Sequence, residues 1–279
     1  MSPVAYMRGM DNPFRPDPQL ITSPDDPRIA DYLSVRERDL TGRDGKFIIE
    51  SMFVLDTALN QARFQISSIL MAAHKTTKLA DKIAAAHARG VPVYLAEQAV
   101  MDTIAGFHIH RGVLAIGHKP NPEPLVDLLS RLPERAIVLV GIGISNHDNV
   151  GGLFRNAAAF GADAVILDGA SCDPFYRKAV RVSSGHVLTL PLHHGAPPGD
   201  IFDALAAQGI TPLALSPAGI DDIRNVQRPE RCALILGAEG PGLPADILDM
   251  CRTLRIQMAD GVDSLNVATA AAVALSHLA

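Results

Sequence analysis

Three segments of this sequence carry residue types at spacings that could do chemistry. The first, Gly141-Ile142-Gly143-Ile144-Ser145-Asn146, follows an apolar run ending at Val140 and continues through Asn149, Gly151, Arg155 and Ala157. A glycine-rich turn between a strand and a helix, with Asp168 closing the next strand, sketches a dinucleotide site. That pattern wants glycine where Asn146 stands, because a third glycine allows close packing of helix on strand, so the match is incomplete. Asn149 is of a type that caps the free N–H groups of a helix. Arg155 falls two turns into a helix that also carries Leu153, Phe154, Ala157 and Ala158. It is either a solvated surface residue or the anion-reading group of a crevice.

The second segment runs from an apolar strand at 233–236 into Gly237, Ala238, Glu239, Gly240, Pro241, Gly242 and Leu243. Glycines permit positive φ and let a ligand approach the backbone. Glu239, in the middle of the turn, is placed to anchor backbone donors or to pair with Arg155. The third segment leads from Ile256 and Met258 through Gly261 into the last helix. Ser264 is its expected N-cap. Asn266 then falls one turn inside the helix, where asparagine is intrinsically poor and so asks for a reason. The small residues over 267–274 suit close packing against another backbone or subunit.

The elements that must position these segments alternate between strand and helix. The prolines of 117–124 interrupt the periodic pattern and mark a linker between two α/β patterns. Before it, strands are expected at 47–50, 64–71, 91–95 and 110–117, and helices at 51–62 and 77–89. After it, a short helix at 125–132 precedes strands at 136–140, 164–168, 187–190, 211–215, 232–236 and 254–258. Helices begin near Asn149, Pro174, Gly199 and Pro244, and a final one covers 265–278. This alternation implies a mostly parallel sheet covered on both faces, with its ligand crevice at the strand C-termini.

Composition narrows the class. With 279 residues, 48% of them apolar, the chain can bury two ordinary cores, and no apolar run approaches the ~18 residues of a membrane helix. The N-terminus has no apolar core after a basic start, so no secretory signal is expected. Cys172, Cys232 and Cys251 are far apart and lack metal-ligand spacing, which points to the cytoplasm. Net charge is −5, with 14 basic against 13 acidic residues up to position 120 and 11 against 17 beyond it. A globally basic footprint is absent, so nucleic-acid binding would rest on a local patch. Lys75, Lys78, Lys82 and Arg89 lie partly along one helix and could follow a phosphate backbone.

Taken together, the three segments resemble the SPOUT class of methyltransferases, specifically the SpoU/TrmH family of RNA ribose 2′-O-methyltransferases. The matching positions are Asn149, Gly151, Arg155 and Ala157; Gly237, Glu239, Gly240, Gly242 and Leu243; and Ile256, Met258, Gly261, Ser264, Leu265, Asn266 and Val267. The sequence departs from the family pattern at His147, Gln257 and Ala268. Upstream, Gly45 to Glu50 and His110 to Ala115 look like the small L30e/L7Ae-like substrate domain found in many members. The resemblance therefore implies a leader at 1–21, an RNA-binding α/β domain at 22–116, a linker with a short helix at 117–135, and a parallel-sheet SPOUT domain with a C-terminal trefoil knot at 136–279.

It also implies S-adenosylmethionine as cofactor, lined by Leu215, Ser216, Leu236, Gly237, Ala238, Gly242, Ile256, Met258 and Leu265. Gly237→Val is then expected to abolish cofactor binding and leave the fold intact. Arg155 takes the place of the family's catalytic arginine, with Glu239, Ser264 and Asn266 positioning it and the ribose, and Asn149 in support. A guanidinium stays protonated, so binding of phosphate and stabilisation of the developing alkoxide are expected of it rather than base catalysis. Methyl transfer from a sulfonium needs no metal, and His108 and His110 lack a third ligand. The partners implied are ribosomal or transfer RNA and a second copy of the chain, joined through the C-terminal domain. A catalytically inactive RNA-binding protein of the same fold and an NAD(P)-binding oxidoreductase are the alternatives.

Overall fold

The computed structural model describes residues 18–33, 40–42, 44–61, 63–105 and 112–279. The chain divides into two compact units, Met1–Pro120 with Phe175–Arg177, and Asn121–Pro174 with Lys178–Ala279.

The first unit is built on β1 (Gln19–Ile21), β2 (Lys46–Glu50), β3 (Ile66–Ala72), β4 (Val93–Ala96) and β5 (Val113–His118), in the order β1-β4-β3-β5-β2. β1, β4 and β3 run parallel, while β5 is antiparallel to both β3 and β2. Gln19–Ile21 therefore belongs to the sheet, with Ile21 fully buried, and not to a leader ending at residue 21. β5 likewise continues to His118, past the point where the linker was expected. Helices α1 (Met52–Asn60), α2 (Ala80–Ala88) and α3 (Gln98–Ala105) complete the unit. Ser51 caps α1 through its hydroxyl, which accepts from the Val54 N–H at 3.2 Å. α2 is shorter than its sequence pattern because 73–79 winds as a 3-10 helix before it. His110 and Arg111, expected to open β5, lie outside the described residues.

The second unit begins with α4 (Leu125–Ser130) and carries a sheet of seven parallel strands. These are β6 (Ala136–Gly141), β7 (Ala164–Asp168), β8 (Leu192–Ala196), β9 (Thr211–Leu215), β10 (Asp221–Asp222), β11 (Arg231–Leu236) and β12 (Arg252–Arg255). Their order is β10-β12-β9-β11-β6-β7-β8. β6 and β7 are buried along their whole length, which is why they read as continuous apolar runs. The helices are α5 (His147–Ala159), α6 (Arg177–Val182), α7 (Pro198–Ala207), α8 (Ala245–Asp249) and α9 (Val267–Leu278). Val138, Val140, Ile166, Ile201, Leu205 and Ile235 form the centre of a core on one face of the sheet.

Two strand expectations fail here. The apolar run at 187–190 is not a strand but follows a 3-10 turn, His186–Leu188, entered through Gly185 at φ +82°. The pairing strand is β8, whose His193, His194 and Gly195 break the apolar pattern, and no element was expected there. The last strand ends at Arg255, so Ile256 and Met258 sit in the irregular segment beyond it.

Candidate functional site

β12, β9, β11 and β6 are consecutive in the sheet, so the loops leaving their C-terminal ends converge at one edge. After β11 the chain closes on itself. The Gly242 N–H donates to the Ala238 carbonyl at 3.0 Å, and these two residues form an isolated antiparallel bridge. Gly240 and Gly242 adopt φ +86° and +70°, which side chains other than glycine rarely tolerate. Gly237 is required by proximity, since a Cβ there would lie 2.4 Å from the Gly242 carbonyl carbon and 2.5 Å from the Leu243 nitrogen. Gly237→Val would consequently break the loop itself, which corrects the expectation that the fold would be spared.

These loops enclose a cavity of about 600 Å³. Leu215 and Ser216 line it at the end of β9, and Leu236, Gly237, Ala238 and Gly242 from the loop after β11. Ile256 and Met258 contribute from beyond β12, and Leu265 from just before α9. Among the described residues Glu239 is the one charged member of the lining, which Ser264 and Asn266 also join.

Asn266 ties the three segments together. It is the N-cap of α9, its Oδ1 accepting from the N–H groups of Ala268 (3.0 Å) and Thr269 (3.2 Å). Its Nδ2 donates to Asn149 Oδ1 and to Glu239 Oε1, each at 2.8 Å. All of the amide's donors and its acceptor are used, and each of the other two side chains comes from a different segment. The cap is therefore Asn266 and not Ser264, and the oddity of an asparagine inside the helix disappears. Asn149 does not cap either. It sits in the first turn of α5, only 5% exposed, while Asn146 caps that helix by accepting from the Asp148 N–H at 2.8 Å.

Arg155 stands apart. Six residues beyond Asn149, it is turned about 240° around α5 from it, at 3.6 residues per turn. It is exposed, does not line the cavity, and has no hydrogen bond or ion pair among the described residues. The expected pairing with Glu239 is absent because Asn149, not Arg155, occupies the side of α5 that reaches the Asn266–Glu239 pair, and neither Ser264 nor Asn266 holds the guanidinium. Instead, the α5 face bearing Gly151 packs on α6, where a Cβ would meet Val182 Cβ at 2.6 Å and the Ala179 carbonyl at 2.8 Å. Arg155 continues that face one turn on.

Sequence reasoning missed several contributors. Gly152 lets α9 approach α5, since its Cβ would come within 2.7 Å of Ala268 Cβ, and Asn156 Nδ2 donates to the Ala268 carbonyl at 2.6 Å. The adjacent glycines inside a helix were the available signal. Asp168, the acid of the dinucleotide sketch, is 3% exposed. Its Oδ1 accepts from the Gly143 N–H (3.0 Å), the Ser171 N–H (2.9 Å) and the Ser171 hydroxyl (2.6 Å). It braces the turn after β6 and is not presented to a ribose. Among the described residues no three His, Cys, Asp or Glu side chains stand close enough to hold a metal ion; His108 and His110 lie outside them. Among the same residues no helix is long and apolar enough to cross a membrane.

Comparison with known proteins places this geometry. The sequence profile of the SpoU rRNA methylase family matches residues 135–276, and that of the RNA 2′-O ribose methyltransferase substrate-binding domain matches residues 54–123. An uncharacterised tRNA/rRNA methyltransferase of Mycobacterium tuberculosis is 38% identical over 267 residues, covering 92% of this chain and 90% of that protein. The 23S rRNA (guanosine(2553)-2′-O)-methyltransferase of Bacillus subtilis is 24% identical, over 92% of this chain and 98% of that protein. The crystal structure of an AdoMet-bound rRNA methyltransferase from Sinorhizobium meliloti matches with a TM-score of 0.83 at 25% identity, covering 93% of this chain and 97% of that one. With a family profile over half its length and a 38% identical relative over nearly all of it, the chain belongs to the SpoU rRNA methylase family.

Proposed function

We propose that this chain methylates a ribose 2′-hydroxyl of ribosomal or transfer RNA, using S-adenosylmethionine, as a homodimer in the cytoplasm. The observation that carries the reading is the Asn266 amide, which joins the three motif segments at the wall of one cavity. The 2′-oxygen as target is supported by the substrate-binding profile and by the named activity of the Bacillus subtilis relative. The donor is supported by the ligand of the Sinorhizobium meliloti structure. Cys172, Cys232 and Cys251 are free thiols, in keeping with a reducing compartment.

The cavity fits such a donor. Its ~600 Å³ falls within the roughly 300–1,000 Å³ of small-molecule sites. Leu215, Leu236, Ile256, Met258 and Leu265 offer apolar walls to a nucleoside, and the single charge of the lining, Glu239, is of the sign that suits a cationic ligand. Bound there, S-adenosylmethionine supplies a methyl group activated by positive charge on sulfur. The chain's own residues supply the rest. Arg155, charged and without a partner among the described residues, binds the RNA phosphate and stabilises negative charge developing on the ribose oxygen. Ser264 faces the cavity and is free to meet the ribose, while Asn149, Glu239 and Asn266 hold the loops in register. Because Arg155 lies off the cavity of its own chain, we take a second copy to bring its α5 to the cavity mouth, with the segment beyond β12 threaded as the trefoil knot of the SPOUT class.

The test is incubation with methyl-labelled S-adenosylmethionine and total RNA from cells lacking this protein, followed by nucleoside analysis. A labelled 2′-O-methylnucleoside is expected. Label on a base, or none on RNA, would overturn the reading.

A further inference from the structure

β12 lies between β9 and β10 in the sheet, although the chain passes from β9 to β10 through residues 216–220 alone. That segment must therefore cross β12, and it does so with main chain against main chain. A Cβ on Gly219 would lie 2.3 Å from the Leu254 carbonyl carbon and 2.7 Å from the Arg255 nitrogen. The crossing is a tight turn, in which the Gly219 N–H donates to the Ser216 carbonyl at 3.0 Å and the Ala218 N–H to Ser216 Oγ at 3.3 Å. β12 holds this turn with both backbone and side chains. The Ser216 N–H donates to the Leu254 carbonyl at 2.9 Å, and the Ile220 N–H to Thr253 Oγ1 at 3.2 Å. Arg255, half-buried at the end of the strand, supplies the charged contact: its Nη1 donates to the Gly219 carbonyl at 2.9 Å and to the Ile220 carbonyl as well.

Two walls of the cavity grow out of this crossing. Leu215, Ser216 and Pro217 line it where the turn begins, and Ile256 and Met258 line it just beyond Arg255. Arg255 itself does not join the lining. Resting on the methyltransfer reading above, we propose that Arg255 is a positioning residue for the methyl donor: by fastening the crossing to the end of β12, it fixes the distance between the Ser216–Pro217 wall and the Ile256–Met258 wall. The turn transmits the hold, because the gripped residue, Gly219, is bonded in turn to the Ser216 carbonyl. A hydrogen bond from an ionised donor is stronger than a neutral one, so the guanidinium contributes most of the side-chain grip. Without it the crossing stays attached through Ser216 and Ile220, which keeps the fold, while the Gly219 and Ile220 carbonyls turn to water and the wall is free to lift.

Arg255→Met keeps an apolar stem and removes the donors. Calorimetry on the full-length protein should show S-adenosylmethionine bound about tenfold more weakly, the worth of roughly one charge-assisted hydrogen bond. Methylation of total RNA should show a matching rise in the KM for S-adenosylmethionine, with kcat at saturating donor close to wild type. Arg255→Lys, which keeps a charged donor but not the planar fork, should recover part of the affinity. Amide hydrogen exchange without ligands supplies a readout independent of turnover. In Arg255→Met it should quicken over 216–220 and hold its wild-type rate in β6 and β11 at the middle of the sheet. Unchanged donor affinity, a loss of kcat with no change in KM, weaker RNA binding in place of weaker donor binding, or faster exchange throughout the sheet would each overturn the proposal. If the wild-type protein bound no S-adenosylmethionine, the underlying functional reading would fail instead, and the exchange comparison would still judge whether Arg255 holds the crossing.

Discussion

The cavity loops and the outer face of α5 treat their polar groups in opposite ways. Around the cavity, polarity is consumed internally: Asn266 satisfies Asn149, Glu239 and two backbone N–H groups, Gly242 bonds Ala238, and Asp168 braces Gly143 and Ser171. On the outer face of α5, Arg155 carries a full charge with no partner among the described residues. Self-satisfied groups hold a shape before any ligand arrives. An unsatisfied cation waits for an anion to complete it. The contrast separates what the protein builds for itself from what its substrate must supply.

The largest expected effect breaks the second half of that contrast. Arg155→Ala should cost at least ~100-fold in methyl transfer, in the range of losing one electrostatic stabiliser, while calorimetry shows unchanged S-adenosylmethionine binding. Arg155→Lys keeps the charge and loses the planar fork, so near-complete inactivity would mean a bidentate contact and partial activity a general field effect. Wild-type activity in the alanine variant would return Arg155 to the solvated surface.

Gly237→Val attacks the first half. Its side chain meets the backbone of Gly242 and Leu243, so cofactor binding and thermal stability should fall together, with an overpacking cost of about 1–3 kcal/mol or more. Lost binding at an unchanged melting temperature would place the effect in the cavity alone. Asn266→Ala removes a cap worth about 1 kcal/mol and leaves the buried Asn149 oxygen unpaired, so denaturant unfolding should show destabilisation of about 1–3 kcal/mol. Asn266→Asp sharpens the point. It keeps the capping oxygen but sets a carboxylate against Glu239, and should recover part of the stability and none of the rate.

The smallest effect belongs to the outer face again. Lys178 and Asp148 form an ion pair at 2.6 Å, with both side chains nearly half exposed. Lys178→Ala should change unfolding free energy by no more than about 0.5 kcal/mol, as for other surface pairs. A larger loss would mean that this face, too, is braced for the protein's own sake.

Legibility followed burial. β7 has the bounds its apolar run predicts, because a strand buried along its whole length in a parallel sheet must be apolar throughout, and β9 keeps its expected bounds with only Leu213 and Ala214 buried. β8 was unreadable for the converse reason: it forms the sheet edge, half exposed, and tolerates His193, His194 and Gly195. The residues that line the cavity were legible through resemblance to a family, since nothing in their apolar types distinguishes them from core. What the sequence could not yield was pairing. That Asn266 caps α9 and clasps Asn149 and Glu239, or that Glu239 ignores Arg155, depends on helix phase and on contacts spanning 117 and 27 residues.

The closed loop after β11 has a bearing on how this protein can vary. Its outline is set by main chain against main chain, with Gly237 pressed on Gly242 and Leu243, and no substitution deletes a peptide group. A lineage under pressure from a molecule competing for this cavity would have few gradual routes of escape here. Replacing a glycine wrecks the loop, and changing a neighbouring side chain leaves its backbone outline where it was. Resistance would have to arise in the apolar walls, at positions such as Ile256 or Leu265, or through altered abundance of the enzyme.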